Sequence, residues 1–290
     1  MNQKINKAVL PAAGFGTRFL PVTKALPKEM LPIVDKPVIQ YLVEEAKEAG
    51  ISEITIVTGR GKRAIEDHFD HSWELESTLR KKDKKSILKK VQNIENLANF
   101  SYVRQAKPLG DGDAILQSKN IIGNNPFAVF FGDDLIISDK PAISQLEDVF
   151  WEKGGQNCII AIQEVPHSEV SKYGIVGVQE TNTEGVFEIK QFVEKPKTSE
   201  APSNLAVVGR YICTPGIFSN LENSNPSVSD GENRLADAFC EILNKGGKIY
   251  GVKFTGKRYD TGDKVGFLKA TIDFALKDPE MGKIIRDYLV

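Results

Sequence analysis

Leu10-Pro-Ala-Ala-Gly-Phe-Gly-Thr-Arg-Phe-Leu-Pro-Val-Thr-Lys-Ala-Leu-Pro-Lys-Glu-Met-Leu-Pro32 is the stretch whose reading decides the fold. It follows the apolar run Lys7-Ala-Val-Leu10, which predicts the first strand of a sheet. Gly14 and Gly16 are expected to turn the backbone at the end of that strand and to expose N–H groups to an anion. Arg18, Lys24 and Lys28 follow within a few residues, with no acid before Glu29. A guanidinium fork and two ammonium groups beside bare amides suit a polyphosphate. Two other phosphate motifs are excluded. A dinucleotide fingerprint needs a third glycine where Phe19 stands, and a P-loop needs Gly-Lys-Ser/Thr.

The surrounding chain repeats the same plan. Pro37 to Ala49 carries apolar residues at helical spacing with Gly50 just beyond, and Glu53 to Thr58 reads as a buried strand. Strand, loop, helix, strand is a right-handed crossover unit that places its ligand at the carboxyl ends of the strands. Phe100 to Gln105 predicts a further strand, and Pro108 to Ala114 turns it into a helix. Pro126 to Phe131 is the most hydrophobic strand, is expected to be central, and ends in Gly132-Asp133-Asp134. Carboxylates at the tip of such a strand, beside a triphosphate loop, suit Mg²⁺, which prefers oxygen ligands. From Tyr173 onward the strands 173–178, 186–190 and 206–212 are joined by polar turns, as in an antiparallel addition at a sheet edge.

Composition narrows the function. The chain has 290 residues, 41% hydrophobic and 27% charged, and a net charge of -1. It can hold one large core, and its charge points to no nucleic-acid surface. No apolar run approaches a membrane span, and Met1-Asn-Gln-Lys lacks a signal-peptide core. Cys158, Cys213 and Cys240, odd in number and in apolar runs, predict reduced thiols and a cytoplasmic location. His68 and His71 read as a surface pair. The run 73–97 reads as charged helix with a bend near 80–85, and Gly59-Arg-Gly-Lys62 as a solvated turn. Gly251 to Arg258 nearly spells a P-loop, but Arg258 stands where Ser or Thr is required.

The first loop resembles the signature of the sugar nucleotidyltransferases, G-x-G-T-R-x-x-P-x-T followed by P-K-E-M-L-P. In its Pro27-Lys-Glu-Met30 form it resembles the bacterial UTP–glucose-1-phosphate uridylyltransferases; thymidylyltransferases usually carry Ser-Lys-Gln there. The resemblance implies a Rossmann-like three-layer α/β/α mixed sheet with an antiparallel edge addition. Its expected parts are a nucleotide-binding core over 1–165, a sugar-binding part over 166–260 and C-terminal helices over 264–290. It implies that Arg18 and Lys28 bind the triphosphate and that Ala12, Ala13, Gly14, Gly16 and Thr17 lie near the nucleotide. Gln105 and Gly110 would contact the uracil, Gly174 and Glu194 the sugar, and Lys195 its phosphate. The metal-ligand aspartate falls on Asp133, with Asp260 as a secondary candidate.

The implied reaction is Mg²⁺-dependent transfer of uridylyl from UTP to glucose 1-phosphate, in a homo-oligomer, dimer or tetramer. Asp111 and Asp113 depart from the pattern, replacing an apolar residue and a histidine, and would repel a triphosphate unless they face away or help hold a cation. The competing readings are a thymidylyltransferase and a catalytically silent subunit of the same fold.

Overall fold

The computed structural model describes residues 4–223 and 231–289. Met1-Asn-Gln, residues 224–230 and Val290, which fall inside the expected parts of the chain, lie outside the described residues. In chain order the structure runs β1 (Lys7–Pro11), β2 (Pro32–Ile33), β3 (Lys36–Pro37), α1 (Val38–Glu48) and β4 (Glu53–Thr58). Then come α2 (Arg63–Phe69), α3 (Trp73–Lys81), α4 (Lys85–Glu95), β5 (Asn99–Arg104), α5 (Asp111–Leu116) and α6 (Lys119–Ile122). The middle of the chain holds β6 (Phe127–Phe130), β7 (Asp134–Ile137), α7 (Ala142–Glu152), β8 (Cys158–Glu164), β9 (Gly174–Glu180), β10 (Val186–Glu194) and β11 (Leu205–Cys213). It closes with α8 (Gly216–Asn223), α9 (Leu235–Asn244), β12 (Ile249–Lys253), β13 (Lys257–Asp260), α10 (Lys264–Lys277) and α11 (Gly282–Leu289).

Among the described residues the main sheet has nine strands in the order β5-β4-β1-β6-β11-β8-β12-β10-β9. Strand alternation sorts its side chains into two cores. Ala8, Leu10, Ala128 and Phe130 pack with Ile39, Leu42 and Leu146 from α1 and α7. Val9, Phe127 and Val129 pack on the other face with Ala114, Phe218 and Phe239 from α5, α8 and α9. Helices on both faces of a mixed sheet make the expected three layers.

One strand differs from expectation. β9 and β10 do form the antiparallel edge, but β11, grouped with them, runs antiparallel between β6 and β8 inside the sheet. Its nine residues are buried except Val207, so it reads as a two-faced interior strand rather than an edge. The first four strands, β5-β4-β1-β6, are parallel to one another. The loops after β1 and β6 therefore open side by side at their carboxyl ends, and the site lies there.

Candidate active site

Ala12 N–H donates to Val57 O at 2.8 Å, which tethers the start of the first loop to β4. The loop needs glycine at Gly16, where φ is 65° and an added Cβ would sit 2.9 Å from Lys28 Cβ. Gly14 plays a different part from the sharp turn expected of it. It has no left-handed backbone, and its missing side chain leaves open space in the cavity.

Two adjoining cavities meet over Asp133. The first, about 440 Å³, is lined by Ala13, Gly14, Gly16, Thr17, Lys28, Gln105 and Gly110 as well as Asp133. The second, about 280 Å³, brings Arg18, Gly174, Glu194, Lys195 and Asp260 to the other side of that residue. Ala12 is buried beneath the loop and lines neither. Arg18 and Lys195, one expected at the triphosphate and the other at the phosphate of the sugar, share the second cavity. Arg18 Nη1 donates to Gly262 O at 3.3 Å. Lys195 has a left-handed φ of 46° and its N–H donates to Tyr173 O. At Gly174 an added Cβ would meet Phe192 at 2.9 Å and Glu194 Oε2 at 3.1 Å, so the residue opposite Glu194 in the β9–β10 ladder must be glycine.

The charges are arranged in pairs. Lys28 Nζ lies 3.1 Å from Asp133 Oδ2. Burial would lower the Lys28 pKa, but the Asp133 and Glu29 carboxylates outweigh it and hold the ammonium above its ordinary value. The Lys28 charge in turn holds the Asp133 carboxyl below its ordinary value against the opposing effect of burial. Asp134 also lines the second cavity but has other partners: it accepts from Gly209 N–H at 2.7 Å and from Arg258 Nε. Asp260 accepts from Gly262 N–H at 3.0 Å and from the Tyr173 hydroxyl at 3.3 Å. Burial, then the neighbouring Asp134 charge, raises its pKa. A Cβ built at Gly262 would lie 2.9 Å from Asp133 Cβ and 3.1 Å from Arg18 Nη1 and Asp260 Oδ1, so glycine lets these three residues close around it.

The two departures from the family pattern are both hydrogen-bonded, and Asp111 lines both cavities. Asp111 Oδ1 accepts from Leu235 N–H at 2.8 Å, at the start of α9. Asp113 Oδ2 accepts from Gln105 Nε2 at 2.7 Å. Gly59-Arg-Gly-Lys62 is a turn with Arg60 and Gly61 exposed, but Lys62 is buried and its Nζ lies 2.8 Å from Glu29 Oε2. His68 and His71 do not act as a pair, since His68 bonds to Gln40 and His71 lies against Glu76 and Glu95.

Several lining residues escape the reading of the sequence. Glu232 lines both cavities, and Arg234 and Arg258 line the second. The signal for the first two is Gly231-Glu-Asn-Arg234 just before an amphipathic helix, a place where backbone and charge meet a site. In the sequence Arg258 stands out only as the residue that spoils a P-loop. The three cysteines sit in β8, β11 and α9 as free thiols.

A family model described as nucleotidyl transferase matches residues 7–276. The chain is 53% identical over 288 residues to a UTP–glucose-1-phosphate uridylyltransferase of Staphylococcus epidermidis, covering 99% of this chain and 98% of the relative. A solved UDP-glucose pyrophosphorylase complexed with UDP-glucose superposes with a TM-score of 0.85 at 47% identity, covering 94% and 100% of the two chains. A UTP-bound UGPase from Acinetobacter baumannii superposes with a TM-score of 0.89 at 38% identity, covering 98% of each. From its first loop to its tenth helix, then, this chain belongs to the nucleotidyl transferase family, in the branch of the bacterial UTP–glucose-1-phosphate uridylyltransferases.

Proposed function

We propose that this protein transfers the uridylyl group of UTP to glucose 1-phosphate, giving UDP-glucose and pyrophosphate. The observation that carries the reading is the junction of two cavities over Asp133 and Lys28, one lined by the loop after β1, the other by Glu194 and Lys195. A nucleotide from one side and a sugar phosphate from the other would bring their phosphates together there.

In the reaction, a phosphate oxygen of glucose 1-phosphate attacks the α-phosphorus of UTP. A P–O bond forms as the bond to the pyrophosphate oxygen breaks, and pyrophosphate leaves with that electron pair. The attacking oxygen is ionised at neutral pH, so no general base is needed. The barrier is repulsion between anions, and the chain's work is alignment and charge neutralisation. Lys28, Arg18 and Lys195 supply that positive charge, while Gln105 and Gly110 hold the base and Glu194 and Gly174 the sugar. Asp133 and Asp260, carboxylates that both line the second cavity, suit Mg²⁺, which wants hard ligands and keeps positions for phosphate oxygens. Bound there, Mg²⁺ would neutralise charge developing on the phosphates.

The cysteine usage supports a cytoplasmic home, and we propose a homo-oligomer, a dimer or tetramer. The test of function is pyrophosphate release across a panel of nucleoside triphosphates and sugar 1-phosphates, with and without Mg²⁺. UTP with glucose 1-phosphate and Mg²⁺ is expected to give the highest kcat/KM. Equal turnover of ATP and UTP defeats the uridylyl reading, and no turnover of any pair favours a silent subunit.

A further inference from the structure

Gln105 is almost fully buried at the end of β5, where its backbone N–H donates to Thr58 O at 2.8 Å. Its side-chain amide has two hydrogens, and both are engaged. Nε2 donates to Gly110 O at 2.9 Å and to Asp113 Oδ2 at 2.7 Å. Asp113 is itself braced in the first turn of α5, where Oδ1 accepts from Gln117 Nε2 at 3.3 Å. Turning the amide over would set Oε1 against a carbonyl and a carboxylate oxygen, neither of which can donate when the carboxyl is ionised. The amide therefore has one orientation, with Nε2 toward α5 and Oε1 as its only group free to meet a ligand in the nucleotide cavity that Gln105 lines.

We infer that Asp113 is a positioning residue for base selection: by holding both the direction and the flip of the Gln105 amide, it makes the base reader a pure acceptor. This rests on the uridylyl reading above. An acceptor suits the N3–H of uracil and equally that of thymine. It repels cytosine, whose N3 carries a lone pair in the same place. Without Asp113 only the bond to Gly110 O opposes the flip, and Nε2 can turn to donate to cytosine N3.

The experiment measures kcat/KM for UTP, TTP and CTP, at fixed glucose 1-phosphate, in the wild type, Asp113→Ala and Asp113→Asn. The CTP:UTP ratio is expected to rise about tenfold in Asp113→Ala, the worth of roughly one oriented hydrogen bond. The TTP:UTP ratio should stay within about twofold, because both bases offer the same N3–H. Asp113→Asn, whose amide can donate to a flipped Gln105 Oε1 as well as accept, should also raise the CTP:UTP ratio, by less than the alanine variant. Asp113→Leu, which keeps the branch at Cγ and has no acceptor, repeats the test if the alanine variant does not fold. A proportionate fall for all three nucleotides overturns the role of Asp113 and leaves the uridylyl reading standing. A wild type that prefers CTP or a purine to UTP overturns that reading itself.

Discussion

Asp134 accepts a hydrogen bond from the backbone N–H of Gly209 at 2.7 Å, and this contact separates it from its neighbour Asp133. Asp133 stands in the turn after β6, lines both cavities and meets Lys28, whereas Asp134 opens β7 and is held by Gly209 and Arg258 at the edge of the second cavity.

The pair should therefore answer differently to the same change. Asp133→Asn is expected to remove most activity and the response to Mg²⁺ while the unfolding midpoint in urea stays near wild type. Asp134→Asn takes from Arg258 the nearer of its two carboxylates, with Asp260 left at 3.7 Å, and should destabilise by about 1.5–3 kcal/mol. Activity assays and urea melts on both variants check this. Greater loss of turnover per folded molecule in Asp134→Asn reverses the assignment.

The buried pair of Glu29 and Lys62 joins the first loop to the turn after β4. Glu29 also helps hold the neighbouring Lys28 ammonium charged. Lys62→Met should cost about 3 kcal/mol of stability because it strands a buried carboxylate. Adding Glu29→Gln should recover part of that loss. A double-mutant cycle by chemical denaturation measures the coupling, and simple additivity would show that the two side chains do not interact.

Arg18 and Lys195 share one cavity, so ligand binding has to separate them. Lys195→Met is expected to lower kcat by about 10²–10³ and to weaken UDP-glucose, which keeps the phosphate shared by sugar and nucleotide. Arg18→Met should weaken UTP and pyrophosphate while UDP-glucose still binds. Calorimetric titration with UDP-glucose is the check. Equal loss in both variants means that Arg18, like Lys195, works at the shared phosphate.

Burial, reinforced by Glu194 and Asp133 and opposed by the Leu235 N–H bond and Arg234, pushes the Asp111 carboxyl up to about 6. The unfolded chain loses that proton near its ordinary value of about 4. Between these values the folded protein binds the proton and the unfolded chain does not, so this group's contribution to stability falls as pH rises through that window. The loss is up to about 3 kcal/mol and is complete above pH 6. Asp111→Asn keeps an oxygen for Leu235 and removes the ionisation. It should be more stable than wild type at pH 7.5 and nearly equal at pH 4.5. A constant difference between the two pH values in urea unfolding contradicts the assigned ionisation.

Much of the molecule is legible in short stretches because its information is local. The positive φ at Gly16, the crossover from β1 through α1 to β4, and the acidic tip of β6 follow from residues a few positions apart. The resemblance through the first loop and Glu194-Lys-Pro196 adds the order of the site. What only the tertiary structure decided depends on contacts far apart in the chain. Nothing near Leu205 to Cys213 says that this strand enters the middle of the sheet; that follows from burying both its faces between β6 and β8. Lys62 looks like a solvated turn residue until the fold brings it to Glu29, 33 positions away. Asp113 reads as a misplaced charge beside a triphosphate, yet the turn between β5 and α5 gives it the Gln105 amide to hold. A sequence states which groups are available, but whether a carboxylate caps a helix, orients an amide or faces a phosphate depends on which neighbours packing leaves within hydrogen-bonding reach.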